Sequence, residues 1–191
     1  MSDCGIFDDK NREENDVSYL SLVEIFKHPI TQKYLRRSGV HHAVTVTEIA
    51  CKLAEEKNEN LELATKSALL HDIGHFEWYR EGKWDYDEYR KHDIHAIKGA
   101  ERAHKLLIRL GENRIKAKEI AIAILLHTDS YLPFSVADDR SPLQQIVYEA
   151  DELDELPGGG HHYKQMKNDE AIERLTIVDE KVRQSFRKDV I

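Results

Sequence analysis

The sequence predicts an all-α fold, and three observations carry that expectation. Apolar residues recur at steps of three and four along most of the chain. No run alternates apolar and polar residues for more than a few positions, so half-buried strands are not expected. Helix punctuation falls where the helical spacing breaks, at Ser38-Gly39, Asn60, Gly111 and Ser141-Pro142. The 191 residues suffice for one domain with a sizeable core. The expected organisation is a loose, polar and acidic tail over residues 1–16 and a single domain over 17–191.

Each element follows from its own residues. From Val17 to Lys27 the apolar positions are Leu20, Val23 and Ile25-Phe26, a helical spacing. Pro29 permits a fresh start for a short helix over Ile30 to Arg37, and Ser38 is the expected N-cap of the next. That helix, Val40 to Lys57, separates two adjacent histidines. His42 lines up with Val46, Ile49 and Leu53 and faces inward, whereas His41 lines up with Thr45, Glu48 and Lys52. Asn60 caps a helix carrying Leu61 to Asp72, and Gly74 breaks it. Phe76 to Tyr89 is aromatic and charged without a clean period, which reads as a loop or partly helical lid, or as a packed surface insertion.

A long helix is expected from about Lys91 to Leu110, closed by Gly111 at C′. Its stripe of Ala96, Ala100, Ala103, Leu107 and Leu110, with Gly99 beside it, allows close approach of a neighbour; His92 and His95 both lie near that stripe. Arg114 to Thr128 is apolar on nearly all sides between Ile120 and Leu126, so a central helix is expected there, with His127 on the line of Ile120, Ala123 and Ile124. Tyr131 to Asp139 reads as a loop. Ser141-Pro142 opens a helix to Leu156, with Pro at N1. Leu143, Val147 and Ala150 follow one face of it and place Asp151 at the core edge, with Glu149, Glu152, Asp154 and Glu155 on the solvated side. Pro157 to Gly160 ends it before His161-His162, read as a loop, and a last helix spans Glu170 to Phe186.

Composition narrows the function classes. Charged residues make up 34% and hydrophobic ones 40%, as in an ordinary globular protein. A net charge of −8 argues against a nucleic-acid or anionic-membrane surface. A small phosphorylated ligand remains compatible with it, because a metal ion or local cation cluster can hold phosphate inside an acidic protein. The longest apolar run, Ile120 to Leu126, is too short to span a bilayer. The polar start has no signal-peptide pattern, so a cytoplasmic location is expected. Cys4 and Cys51 form neither a disulfide framework nor a CxxC metal site.

The inward-looking polar residues are His42, His71, Asp72, His95, His127 and Asp151, spread over five expected helices. A lone inward histidine is more often a satisfied core residue than a ligand. Unrelated buried polar groups of this number would be an expensive core, and one shared metal site removes that expense. The set offers nitrogen and oxygen without thiolate, which suits Mn, Fe, Co, Ni or Mg better than a structural zinc.

At this point the chain resembles the HD-domain superfamily of metal-dependent phosphohydrolases. The pattern His … His-Asp … Asp falls here on His42, His71-Asp72 and Asp151, with Val46, Ala50 and Leu53-Ala54 after the first histidine. His95-Ala-Ile-Lys-Gly99-Ala100 and Leu126-His127-Thr128 resemble the additional histidines of dinuclear branches, and this favours His95 over His92. The likeness covers Arg36 to Leu156. It implies a helical bundle, one or two divalent metals per chain held by His42, His71, Asp72 and Asp151, and His95 and His127 at a second metal or on substrate. His71-Asp72-Ile73-Gly74-His75 looks like the form found in deoxynucleotide triphosphohydrolases, so His75, beside the catalytic Asp72, is expected to contact phosphate or move a proton. Arg36 and Arg37 are candidate phosphate clamps.

The cyclic-dinucleotide phosphodiesterase signature is missing, since Thr128 follows His127 and no Gly-Tyr-Pro occurs. Small nucleotide phosphohydrolases look closer, including dinucleoside-tetraphosphate hydrolases and the phosphohydrolase of oxetanocin biosynthesis. The expected partner is a small nucleotide, and a homo-oligomer is allowed. The competing readings are an HD-type di-iron oxygenase and a regulatory nucleotide-binding module.

Overall fold

The structure, a computed structural model, describes residues 19–76, 79–80, 83–155 and 164–188, with backbone alone at 79–80, 83–84, 86, 90 and 188. The expected tail over 1–16, together with Trp78, Gly82, Pro157 to Gly160 and His161-His162, lies outside the described residues. The architecture is all-α, as expected, with one minimal exception: β1 (Tyr79–Arg80) and β2 (Lys83–Trp84) pair antiparallel.

The helices are α1 (Leu22–Lys27), α2 (Pro29–Ser38), α3 (Val40–Lys57), α4 (Leu61–Leu70), α5 (Tyr86–Lys91), α6 (His95–Arg109), α7 (Arg114–Leu125), α8 (Pro142–Glu155) and α9 (Asn168–Lys188). The loop of Tyr131 to Asp139 contains a single 3₁₀ turn at Ala137–Asp139. Caps explain most boundaries. Ser21 and Glu24 form a capping box on α1. Asn60 Oδ1 accepts from Leu63 N at 2.9 Å, and Asn113 caps α7. Ser141 and Gln144 bond reciprocally at the start of α8. Gly111 takes a left-handed φ of 89° just past α6.

Three local expectations are corrected. Ser38 is not the N-cap of α3; it is the last residue of α2, and Gly39 makes the bend with φ 106°. The sixth helix begins at His95 rather than near Lys91, because non-helical backbone at His92 and Ile94 separates it from α5. The central helix is α4 and not α7. Every residue of α4 from Glu62 to Leu70 is buried, whereas Ala121, Ile122 and Leu125 of α7 are only half-buried.

Burial of the polar residues on α4 is made possible by pairing. Lys66 Nζ lies 2.6 Å from Glu62 Oε1 and also pairs with Glu112, while Glu62 Oε2 takes Lys116 at 2.6 Å. In sequence these residues look solvated. Paired with one another, they can leave water without stranding a charge.

α4 packs against α3, α7, α8 and α9, and α3 packs against α8. Between α3, α4 and α8 the core narrows to Val46, Ala50, Ala54, Ala64, Ala68, Ile146 and Ala150. Small side chains there let three backbones approach closely. That approach brings the start of α3, the end of α4 and the middle of α8 to one place. A larger cluster built on Leu22, Ile25, Phe26, Leu35, Leu69, Leu70, Leu106, Leu107, Ile120, Ile124 and Leu175 holds the other side. Asp179 of α9 accepts from Tyr19 Oη and Leu22 N, both at 2.7 Å, and so ties the last helix to the first. Among the described residues no helix is long and apolar enough to cross a membrane.

Candidate metal centre

The two motif residues that follow α4 sit in a turn rather than in the helix. α4 ends at Leu70, and residues 71–74 form a tight turn that lies against α6. Gly74 is required there for space, not for a left-handed backbone. A Cβ on Gly74 would fall on the His95 carbonyl oxygen and the Gly99 backbone nitrogen, and 2.8 Å from Gly99 Cα. Gly99 answers with the same absence, since its own Cβ would sit 3.1 Å from His71 O. Two glycines in contact therefore dock the His71-Asp72 turn onto the first turns of α6.

The turn brings four ligand-type atoms together with α3 and α8. His42 Nε2 lies 3.1 Å from His71 Nε2 and 3.2 Å from Asp151 Oδ1. His71 Nε2 lies 3.4 Å from Asp151 Oδ1 and 3.5 Å from Asp72 Oδ2, which is 3.6 Å from His42 Nε2. A second group meets the other oxygen of the same carboxylate. Asp72 Oδ1 is 3.0 Å from His75 Nε2, 3.6 Å from His95 Nε2 and 3.8 Å from His127 Nε2. His95 Nε2 and His127 Nε2 are 3.1 Å apart. Asp72 thus faces one cluster with each oxygen.

The fit to divalent cations can be tested on the opposite side of each ring. His42 Nδ1 donates to Asp154 Oδ2 at 2.7 Å, His71 Nδ1 to Ala68 O at 2.7 Å, His95 Nδ1 to Asp93 Oδ2 at 2.7 Å and His127 Nδ1 to Ile124 O at 2.6 Å. With Nδ1 bearing the proton, Nε2 of a neutral ring carries a lone pair. Two pairs of ring nitrogens face each other at 3.1 Å, and each pair can be satisfied by a shared proton or by a shared cation. Asp151 Oδ1 is buried without a hydrogen bond of acceptable geometry, again an acceptor aimed at the same point. The donor set fits one or two divalent metals.

Without a cation, the carboxylates and the His42 and His71 rings hold one another as ion pairs. Burial alone would lower the His42 pKa, but the Asp151 and Asp154 carboxylates push it up to about 10. Burial would raise Asp72, yet His71 and His75 hold it well below the usual carboxylate range. Asp151 is depressed in the same way, against burial, by His71 and His42. His127, buried and beside His95 and His71, falls to about 3 and stays a neutral ring. Both carboxylates are ionised, and a cation held between them would take the place of the proton on the facing His42 nitrogen, so that metal binding would release protons.

His42, His71, Asp72, His95, His127 and Asp151, which the sequence singles out, converge. His71-Asp72 and His127 lie just beyond helix ends, and His95 opens α6. His75 joins them: its Nε2 meets Asp72, its Nδ1 lies 2.5 Å from Tyr89 Oη, and its ring stacks on His95 at 4.3 Å between centroids. The half-open groups are His75 and Asp151, with side chains 18% and 17% exposed, which marks the side open to a ligand. Arg36 and Arg37 are exposed at the end of α2, Arg37 lying 5.1 Å from the Tyr34 ring.

One sequence expectation is overturned. Asp154 is not on a solvated face: it is 2% exposed and holds His42. Its position at steps of four and seven from Ala150 and Val147 is the signal that identifies it. Asp93 and Tyr89 also escape the sequence reading. Asp93 sits two residues before His95, a spacing at which an aspartate can bond both the backbone N–H and the ring, as it does here.

A bundle that gathers these residues around His-Asp is the arrangement of one class of hydrolase, and the comparisons agree. The HD domain family matches residues 39–156. The chain belongs to the HD-domain superfamily of metal-dependent phosphohydrolases. It is 58% identical over 166 residues to the protein named "Putative phosphohydrolase YueE" of Bacillus subtilis (strain 168), covering 87% of this chain and 94% of that protein. It is also similar to a crystal structure described as a "predicted HD superfamily hydrolase" from an uncultured Thermotogales bacterium. There the identity is 23% and the TM-score 0.48, with 87% of this chain and 92% of the other covered.

Proposed function

We propose that this enzyme releases phosphate or pyrophosphate from nucleotides or nucleotide analogues, using one or two divalent cations drawn from Mn, Co, Mg, Fe and Ni. The observation that carries this reading is the Asp72 carboxylate, with Oδ2 on His42 and His71 and Oδ1 on His75, His95 and His127. His42, His71, Asp72 and Asp151 would hold the first cation, and Asp72, His95 and His127 the second. Cations bound by these residues would supply Lewis-acid chemistry, polarising a phosphoryl oxygen and lowering the pKa of water.

The chain supplies the rest. Asp154, Asp93 and the Ala68 and Ile124 carbonyls fix ring orientation, so the nitrogens are set before ligand arrives. Burial of His42, His71 and His127 excludes bulk water and strengthens each electrostatic contact. His75, half-open and held between Asp72 and Tyr89, is placed to give a proton to the leaving oxygen. Arg36 and Arg37 are assigned to substrate phosphate. The name of the Bacillus subtilis relative supports the reaction class.

The test is a panel of nucleoside mono-, di- and triphosphates and a dinucleoside tetraphosphate, assayed with each of those metals, with products identified by mass. Phosphate or pyrophosphate release without oxygen uptake is expected. Oxygen consumption coupled to loss of an organic substrate would move the enzyme to the di-iron oxygenases. Binding without turnover would make it a regulatory module.

A further inference from the structure

A line of cations leads away from the metal centre along α6. His95, Lys98 and Arg102 follow one another at steps of three and four, so they share a helix face. At 1.5 Å rise per residue, Lys98 lies about 4.5 Å and Arg102 about 10.5 Å along the axis from His95. Lys98 Nζ sits 3.9 Å from the centroid of Phe76, the residue after His75. Arg102 donates to Ile73 O, the residue after Asp72, and its guanidinium lies 3.5 Å from the Tyr34 ring. The same ring has Arg37 at 5.1 Å and Lys33 at 5.4 Å, one turn apart on α2.

This concentration of positive charge runs against a net charge of −8. Lys33, Lys98 and Arg102 make no ion pair with any described carboxylate; Glu101, the acid beside Arg102, pairs instead with Lys105 at 2.5 Å. Three cations around one tyrosine repel one another, and burial together with Arg37 lowers the Arg102 pKa. A polyanion laid along the face would relieve that repulsion. Its near end would lie at His75 and Asp151, the open side of the centre.

We infer that Lys98, Arg102, Arg37 and Lys33 form a polyphosphate track, which takes the phosphate groups of the substrate beyond the one being cleaved. The inference rests on the phosphohydrolase reading and narrows it to substrates with a phosphate chain, such as nucleoside triphosphates, rather than monophosphates. Arg102 also anchors the Ile73 carbonyl, so the exposed Lys33 and the half-buried Lys98 are the residues to alter.

The experiment is calorimetric titration of the metal-loaded, desalted protein with inorganic tripolyphosphate, orthophosphate and a short single-stranded oligonucleotide. The proteins are wild type, a Lys33→Gln/Lys98→Gln double variant, and a Lys52→Gln/Lys118→Gln double variant. The last makes the same charge change at exposed positions elsewhere. Wild type should bind tripolyphosphate more tightly than orthophosphate. The Lys33/Lys98 variant should lose at least about tenfold in tripolyphosphate affinity, and the control variant should match wild type. Equal binding by all three proteins, equal losses in both variants, or tighter binding of the oligonucleotide than of tripolyphosphate would overturn the track. The nucleotide panel fails separately: tripolyphosphate binding as expected with no nucleotide hydrolysed would keep the track and sink the phosphohydrolase reading.

Discussion

Asp154 Oδ2 lies 2.7 Å from His42 Nδ1, joining α8 to α3 behind the metal-facing nitrogen of that histidine. The contact fixes the ring and turns Nε2 toward His71, Asp72 and Asp151. Asp154 needs no contact with metal or substrate to matter.

Asp154→Ala should therefore weaken metal binding by about 10–100-fold while the helices persist, the usual effect of losing the partner that orients a ligating histidine. Metal titration beside circular dichroism checks it. Unchanged metal affinity would make Asp154 a packing residue only.

Gly74→Ala tests the docking of the His71-Asp72 turn on α6. The added methyl meets backbone of His95 and Gly99, which cannot swing aside as a flexible side chain can. Destabilisation of about 1–3 kcal/mol or more is expected. At this chain length each kcal/mol lowers Tm by about 2–4 °C. Gly99→Ala should be milder, because its nearest neighbour would stand at 3.1 Å. Equal melting temperatures for Gly74→Ala and wild type would show that the turn has room to shift.

The buried network on α4 makes a pH-dependent prediction. Lys116 and Lys66 hold Glu62 below its ordinary value of 4.5 against the opposing effect of burial. A carboxylate depressed on folding stabilises fully above its unfolded pKa, and that contribution is lost as pH falls through the folded one. Urea midpoints should therefore drop below about pH 4.5, and Glu62→Gln should flatten the drop. Lys66→Met, which strands Glu112, should lower stability by about 3–5 kcal/mol at neutral pH. A Lys66→Met protein as stable as wild type would show that water reaches the network.

His75→Ala separates two roles at one position. As a proton donor, His75 should be dispensable for metal binding, with a rate loss of about 10²–10⁴-fold. Elemental analysis and steady-state kinetics on one preparation decide. Metal lost together with activity would make His75 a ligand through the nitrogen that faces Asp72.

Helical periodicity makes much of this centre legible. It points His42 inward and sets Asp151 at the core edge, and the resemblance supplies the choice of His95 over His92. What stays hidden depends on neighbours distant in the chain. Asp154 reads as another acid on an acidic helix until α3 supplies its partner, 112 residues away. Lys66 and Glu62 make α4 look half-solvated, so the apolar run of α7 is the stronger sequence candidate for the centre of the fold. Gly74 reads as a helix breaker, whereas its reason is the backbone of α6 pressed against it. Tyr89 sits in a segment without period, where no pattern indicates that its hydroxyl reaches His75.

A single carboxylate, that of Asp72, serves two clusters. The measurement is metal stoichiometry and phosphate release for Asp72→Ala beside wild type, after both are loaded with Mn or Co and desalted. Loss of bound metal and of turnover together, in a protein that keeps its helical content, is the predicted result. An Asp72→Ala protein that retains full metal and full activity would contradict it.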